Sequence, residues 1–148
     1  SQSSKIYRDY YETKGQLEAH LYDGIKEILQ QLSQDPSKKI FITTAKNEPI
    51  ALEMCKHLGI TEYFDSIYGS TPTAFHKADV LQRAITENQA PKDQSVIVGD
   101  TKFDLIGGKT VGVKTIAVTW GFGKNETLLA ENPDFIADTT QELRDILK

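Results

Sequence analysis

The stretch VIVGDTKFD, residues 96–104, decides the fold: an apolar run that ends in Gly99-Asp100, with a second carboxylate four positions on at Asp104. Such a run reads as a buried parallel strand carrying an acid at its C-terminal tip. Ligands of open α/β sheets bind at those tips. One carboxylate on the turn and one in the first turn of the following helix suit a hard cation such as Mg²⁺. The same residues also suit a plain strand–turn–helix in which Asp100 caps a helix over residues 103–111. Polar groups at other strand exits and helix starts bear on that choice.

Downstream, FDLIGGKTVG reads as a helix weakened by Gly107 and Gly108, which predicts close packing against a sheet there. VKTIAVTW (113–120) is a strand with Trp120-Gly121-Phe122-Gly123 as its exit loop, followed by a helix near 125–131. DFIA (134–137) is a short last strand, and QELRDILK is a C-terminal helix capped by Thr139 or Thr140. Upstream, KIFITT predicts a strand over 39–43, with Thr44-Ala45-Lys46-Asn47 as its exit loop. The next helix has Pro49 in its first turn, runs to about Leu58 and closes at Gly59. FDSIYGS (64–70) is a short strand, residues 77–88 a helix carrying Val80, Leu81 and Ile85, and Pro91 a break before the decisive strand. Ile25, Ile28, Leu29 and Leu32 share one helical face ahead of the turn SQDPSKK. KIYRDYYETK (5–14) reads as a helix with Tyr7, Tyr10 and Tyr11 on one side, ended by Gly15. Strands alternating with helices predict an α/β, three-layer, doubly wound, mostly parallel sheet.

Composition is that of one ordinary globular domain: 148 residues, 39% hydrophobic, 26% charged. The net charge of −4, with Lys and Arg scattered, gives no nucleic-acid footprint. No 18-residue apolar run or signal peptide occurs, so no membrane partner is expected and a cytoplasmic location is the default. Cys55 is the only cysteine; it lies in an apolar helical pattern and reads as a small buried hydrophobe.

Three strand exits or helix starts carry candidate polar groups: Thr44, Lys77 and Asp100, with Asp104 close behind. A hydroxyl and an ammonium would bind phosphoryl oxygens while the carboxylates hold a divalent cation. That set suits phosphoryl transfer, where catalysis is mostly positioning and charge stabilisation. Each member also has a plainer reading: Thr44 as a helix cap, Lys77 as a solvated lysine, Asp104 as a partner of the helix dipole. His76 is assigned no role. The combination is more specific, because a parallel sheet sends all three exits to one rim.

Thr44 after FIT, Lys77 in HKADVL, and Asp100 and Asp104 in VIVGDTKFDLIGGKTVG resemble motifs II, III and IV of the haloacid dehalogenase superfamily, closest to its phosphoglycolate-phosphatase-like bacterial hydrolases. LYDGIKEILQQL, YFDSIYGS and VTWGFG extend the resemblance over nearly the whole chain. It implies a Mg²⁺-dependent phosphatase of a small phosphorylated metabolite, working through an aspartyl-phosphate. It further implies that Thr44 binds the phosphoryl group and that Lys77 orients it. Asp100 is then a metal ligand, and Asp104 supports the metal shell. Ala45, in the phosphate-binding loop, stands where many relatives carry Asn, which alters a substrate contact but leaves the Thr44 hydroxyl in place.

The superfamily opens with DxDx[TV] at the end of its first strand, where the first Asp is the nucleophile and the second the general acid/base. This sequence lacks it: Asp9, Asp23, Asp35 and Asp65 do not fit the pattern. Residues 1–20 are therefore expected to be a remnant of the helical cap and its return linker, and residues 21–148 the core. The first central strand is expected to be missing between the strands ending at Thr44 and Asp100, its slot filled by a cleaved N-terminal fragment, a second chain or a rearrangement. The chain alone is expected to be inactive. A catalytically dead phosphate-binding module and a receiver-like signalling domain are the alternatives. The order Thr, Lys, then acidic pair argues against the receiver, whose acidic pair comes early. A dinucleotide site is disfavoured, since no GxGxxG follows a strand.

Overall fold

The computed structural model describes residues 4–8, 24–120 and 125–147. Its elements in chain order are β1 (Ser4–Arg8), α1 (Ile25–Ser33), β2 (Lys38–Asn47), α2 (Glu48–Leu58), β3 (Ser66–Ser70), α3 (Lys77–Glu87), β4 (Ser95–Gly99), α4 (Lys102–Val111), β5 (Lys114–Val118), α5 (Asn125–Ala130), β6 (Phe135–Ala137) and α6 (Thr140–Ile146). The six strands form one sheet in the order β3-β2-β1-β4-β5-β6, every neighbour pair parallel. The expected three-layer α/β architecture is present.

Side-chain alternation along the strands sorts the helices onto two faces. Ile40 and Ile42 of β2, Val98 of β4 and Ile116 and Val118 of β5 pack with α1, α2 and α6 through Ile25, Leu29, Met54, Cys55 and Leu143. Phe41 and Ile97, one position out of phase, pack on the other face against Val80, Leu81, Ala84 and Ile85 of α3 and Val111 of α4. The predicted face of Ile25, Ile28, Leu29 and Leu32 is buried as a unit. Gly59 ends α2 in a left-handed conformation, φ 71°, which suits glycine.

Two expectations are corrected. Residues 4–8 form a strand, not the start of a helix, and that strand of this chain takes the central slot expected to be filled by a fragment, a second chain or a rearrangement. Ser4–Arg8 pairs with Ser4↔Lys38 through Arg8↔Ile42 on one side and with Lys5↔Ser95 through Arg8↔Val98 on the other. Two parallel strands facing an open slot would each leave a row of N–H and C=O groups unpaired. Pairing them outweighs the weak helical periodicity of KIYRDYYETK, whose β-branched and aromatic residues suit a strand. The remainder of that predicted helix, with Tyr10, Tyr11 and Gly15, lies outside the described residues, as do most of the expected cap remnant and the loop Gly121-Phe122-Gly123. The second correction is at residues 44–47, expected as an exit loop: β2 continues through Asn47, with an irregularity in its pairing to β3 between Thr43 and Asn47.

Candidate active site

The strand order reverses at β1: β2 and β3 extend to one side of it and β4 to β6 to the other. The C-terminal side of such a switch point is the natural crevice of a doubly wound sheet. Ile42 and Val98 both lie opposite Arg8. Two residues beyond each come Thr44 and Asp100, so the sheet's register brings the two predicted groups to the same level on either side of its central strand. Thr44, Asp100 and Asp104 are only 0%, 3% and 1% exposed.

Thr44 does not cap α2; Asn47 occupies that position. The Thr44 hydroxyl oxygen instead accepts the Lys46 backbone N–H at 3.1 Å, holding the end of β2 in its irregular shape. Nor does Asp100 cap α4. The cap is Thr101, whose Oγ1 accepts the Asp104 N–H at 3.4 Å, while Asp104 Oδ2 accepts the Thr101 N–H at 3.1 Å. This reciprocal box satisfies donors that a helix start leaves unpaired. Its signature, Thr101-x-x-Asp104 ahead of an apolar run, is the sequence signal that points to Thr101 rather than Asp100 as the cap.

Asp104 Oδ2 also accepts the Asp100 N–H and the Thr101 hydroxyl, each at 3.1 Å. Its other oxygen, Oδ1, accepts Lys77 Nζ at 2.9 Å. Asp104 therefore fixes the loop that presents Asp100 and tethers the lysine, with both oxygens engaged by protein donors. Gly99 makes room for this: a Cβ there would stand 2.2 Å from the Asp104 Cβ, whereas one on Gly107 would lie 3.4 Å from the Ala78 nitrogen and Lys77 Cβ. Gly108, as expected, lets α4 lie on the sheet: a Cβ there would meet Ile97 and Thr115 methyls at 2.6 and 2.8 Å. Gly107 faces the first turn of α3 rather than the sheet, and a Cβ there would make only ordinary contact with Lys77 and Ala78.

Burial pushes the Lys77 ammonium down to about 8, against the opposing pull of the Asp100 carboxylate. Lys77 is the first residue of α3, behind His76 at the cap position, whose N–H donates to Asp79 Oδ2 at 3.4 Å. Beside Lys77 opens a cleft of about 460 Å³ bordered by Ala45, Phe75, His76, Phe103 and Ile106. Neither phenylalanine stands out in the sequence pattern.

Among the described residues no three His, Cys, Asp or Glu side chains converge on one point. Asp100, at the tip of β4, is the residue that could hold a hard cation such as Mg²⁺, whose usual ligands are one or two carboxylates together with waters and phosphate oxygens.

A doubly wound sheet with a buried Thr, a half-buried Lys and a buried acidic pair at its switch point defines the class: an α/β protein with a polar site at the C-terminal edge of its parallel sheet. A family model described as haloacid dehalogenase-like hydrolase matches residues 1–118. The chain belongs to that family. It is 28% identical over 145 residues to a phosphoglycolate phosphatase of Vibrio parahaemolyticus, covering 97% of this chain and 63% of the relative. It is 28% identical over 144 residues to a 5'-nucleotidase of Pseudomonas aeruginosa, covering 96% and 65%. Among solved structures, a haloacid dehalogenase-like hydrolase of Streptococcus pneumoniae matches with a TM-score of 0.85 and 42% identity, over 91% of this chain and 63% of that one. The chain thus spans just under two-thirds of the length of the relatives it matches. No helix among the described residues is long and apolar enough to cross a membrane.

Proposed function

We propose that this chain carries the phosphate-binding and positioning half of a Mg²⁺-dependent phosphatase that acts on a small phosphorylated metabolite through an aspartyl-phosphate. The observation that carries the reading is the shared level of Thr44 and Asp100 on either side of β1, with Lys77 tied to the same rim through Asp104. Relatives named phosphoglycolate phosphatase and 5'-nucleotidase support it.

In this reading the Thr44 hydroxyl donates to a phosphoryl oxygen and the Lys77 ammonium offsets a second oxygen's charge. Asp104 holds Lys77 and the Asp100 loop in place. Asp100 is the ligand for Mg²⁺, which when bound supplies charge neutralisation. A carboxylate attacks phosphorus, the ester oxygen leaves with a proton, and water then cleaves the acyl phosphate to return the carboxylate and inorganic phosphate. DxDx[TV] does not occur in the sequence. The reading assigns the nucleophile to a segment other than this one, so that the chain alone binds phosphate without turning over esters.

Calorimetric titration with inorganic phosphate and Mg²⁺ tests this. Binding should weaken by about tenfold or more in Thr44→Val and in Lys77→Met. Unchanged affinity in both variants, or phosphatase turnover by the chain that Asp100→Ala abolishes, would contradict it. A second reading, a phosphate-binding module without chemistry, is favoured by β1 itself, since the slot that the family resemblance assigns to a nucleophile strand is filled by Ser4–Arg8. Intact mass and an N-terminal peptide map of the natural gene product separate the two. An apolar strand ending in DxDx[TV] ahead of Ser1 favours the phosphatase, and its absence the module.

A further inference from the structure

We infer that the cleft beside Lys77 is a leaving-group subsite for a flat aromatic group, so that the ester this site takes is an aryl- or heteroaryl-bearing phosphomonoester rather than a small phosphorylated carboxylate. The inference rests on the phosphate-binding reading above and names the substrate class for it.

The first support is position. The cleft shares Lys77 with the phosphate rim and is bordered by Ala45, the residue after Thr44. A phosphoryl group held by Thr44 and Lys77 would send its leaving group into this space.

The second support is lining. Phe75, Phe103 and Ile106 border the cleft and remain 56%, 58% and 41% exposed. Phe75 comes from the loop ahead of α3, Phe103 and Ile106 from the first turns of α4. Apolar surface gathered from two elements at one opening is a common mark of a binding site. The Phe75 ring is braced against His76, centroids 4.5 Å apart and planes at 44°, and Lys102 Nζ stands 5.3 Å from the centre of the Phe103 ring. The volume, about 460 Å³, accommodates an aromatic ring.

The third support is what the lining offers a carboxylate. The lysine in the cleft wall is Lys77, which the phosphate reading already assigns to the phosphoryl group. Arg83, on the same helix, is directed instead to Glu48 and Glu87. Lys102 is not part of the cleft wall; its ammonium lies over the Phe103 ring. An aromatic group gains stacking and apolar burial from Phe75, Phe103 and Ile106; a carboxymethyl group does not.

The experiment is calorimetric titration of the chain with phenyl phosphate, 2-phosphoglycolate and inorganic phosphate, in the parent and in Phe75→Ala, Phe103→Leu and Phe103→Tyr, each checked for folding by circular dichroism. Phenyl phosphate should bind about tenfold more tightly than 2-phosphoglycolate, and loss of either ring should cut that ratio to about twofold. Phe103→Tyr, which keeps the ring, should keep the ratio. Equal affinity for the two esters, or a preference that survives loss of each ring, overturns the inference while leaving inorganic phosphate binding intact. Failure of inorganic phosphate to bind overturns the phosphate reading and this one with it.

Discussion

Lys77 Nζ donates to Asp104 Oδ1 at 2.9 Å across the junction of α3 and α4. The bond joins two helix starts that are 27 residues apart in the chain, and it couples the cation of the rim to the loop that presents Asp100. Because Asp104 is almost wholly buried, the pair is held by geometry rather than by surface attraction.

Asp104→Asn is therefore expected to destabilise the fold by about 3 kcal/mol, because the substitution leaves buried donors unpaired. The amide cannot serve both sides. With its oxygen toward Lys77, its NH₂ faces the Asp100 N–H, the Thr101 N–H and the Thr101 hydroxyl, all donors to Oδ2 in the parent. Turned over, it sets NH₂ against the ammonium. Urea unfolding followed by circular dichroism measures the loss; a change below about 1 kcal/mol would mean that the network is not holding the loop.

The three glycines of this region should respond differently to alanine. Gly99→Ala puts a Cβ 2.2 Å from the Asp104 side chain, and Gly108→Ala puts one 2.6 Å from Ile97. Each should cost about 1–3 kcal/mol, the usual range for overpacking. Gly107→Ala meets its neighbours at 3.4 Å inside a helix. It should be neutral or stabilising by up to about 1 kcal/mol, because alanine is the better helix former. Thermal denaturation of the three variants gives the ranking, and a Gly107→Ala variant as unstable as the other two would refute the packing described for α4.

Much of this was legible in the sequence. The apolar run ending in Gly99-Asp100 and the helical face of Ile25, Ile28, Leu29 and Leu32 are patterns that burial enforces, and both appear as read. Thr44 and Asp100 stand at one level because a parallel sheet must deliver its strand exits to one rim. Ser4–Arg8 was misread because its assignment depends on two strands that lie far along the chain, and local periodicity carries no record of them. The role of Asp104 was also only half legible. Its spacing from Asp100 suggested a cation, whereas the folded loop turns Oδ2 back onto three protein donors and Oδ1 onto Lys77. Phe75 and Phe103 left no periodic signal, since they are exposed and lie on a loop and a first helical turn.

Cys55 is wholly buried, and burial pushes its thiol up to about 11. The thiolate is the reactive form, so the native protein should resist a thiol-specific reagent at pH 8 and react quickly once unfolded in urea. The raised value also has a stability consequence. This contribution is fully present below the ordinary thiol value of 9.0 and is lost as pH rises toward about 11. The rate of labelling with dithionitrobenzoate, with and without urea, checks the burial; rapid native labelling would contradict it.

The Lys77 ammonium, brought down to about 8 by burial, should make anion binding depend on pH near that value. Below it the side chain is charged and can hold a phosphoryl oxygen; above it the charge is lost, and phosphate affinity should fall as pH rises. The groups facing it are Asp104, at hydrogen-bond distance, and the Asp100 carboxylate, and both favour the charged form. A bound dianion favours it further, so the midpoint seen in phosphate titrations should lie above that of the unliganded protein. Stability runs in the opposite direction. Between about 8 and the ordinary 10.5 the unfolded chain retains a proton that the folded one has released. Lys77's contribution to stability therefore grows with pH across that window and is absent below it. Phosphate affinity measured from pH 6.5 to 10 in the parent and in Lys77→Met tests the assignment, over a range chosen to bracket the group's titration. The parent should lose affinity through the alkaline limb. The variant should bind weakly with no such limb, and an identical pH profile in the two proteins would remove Lys77 from the site.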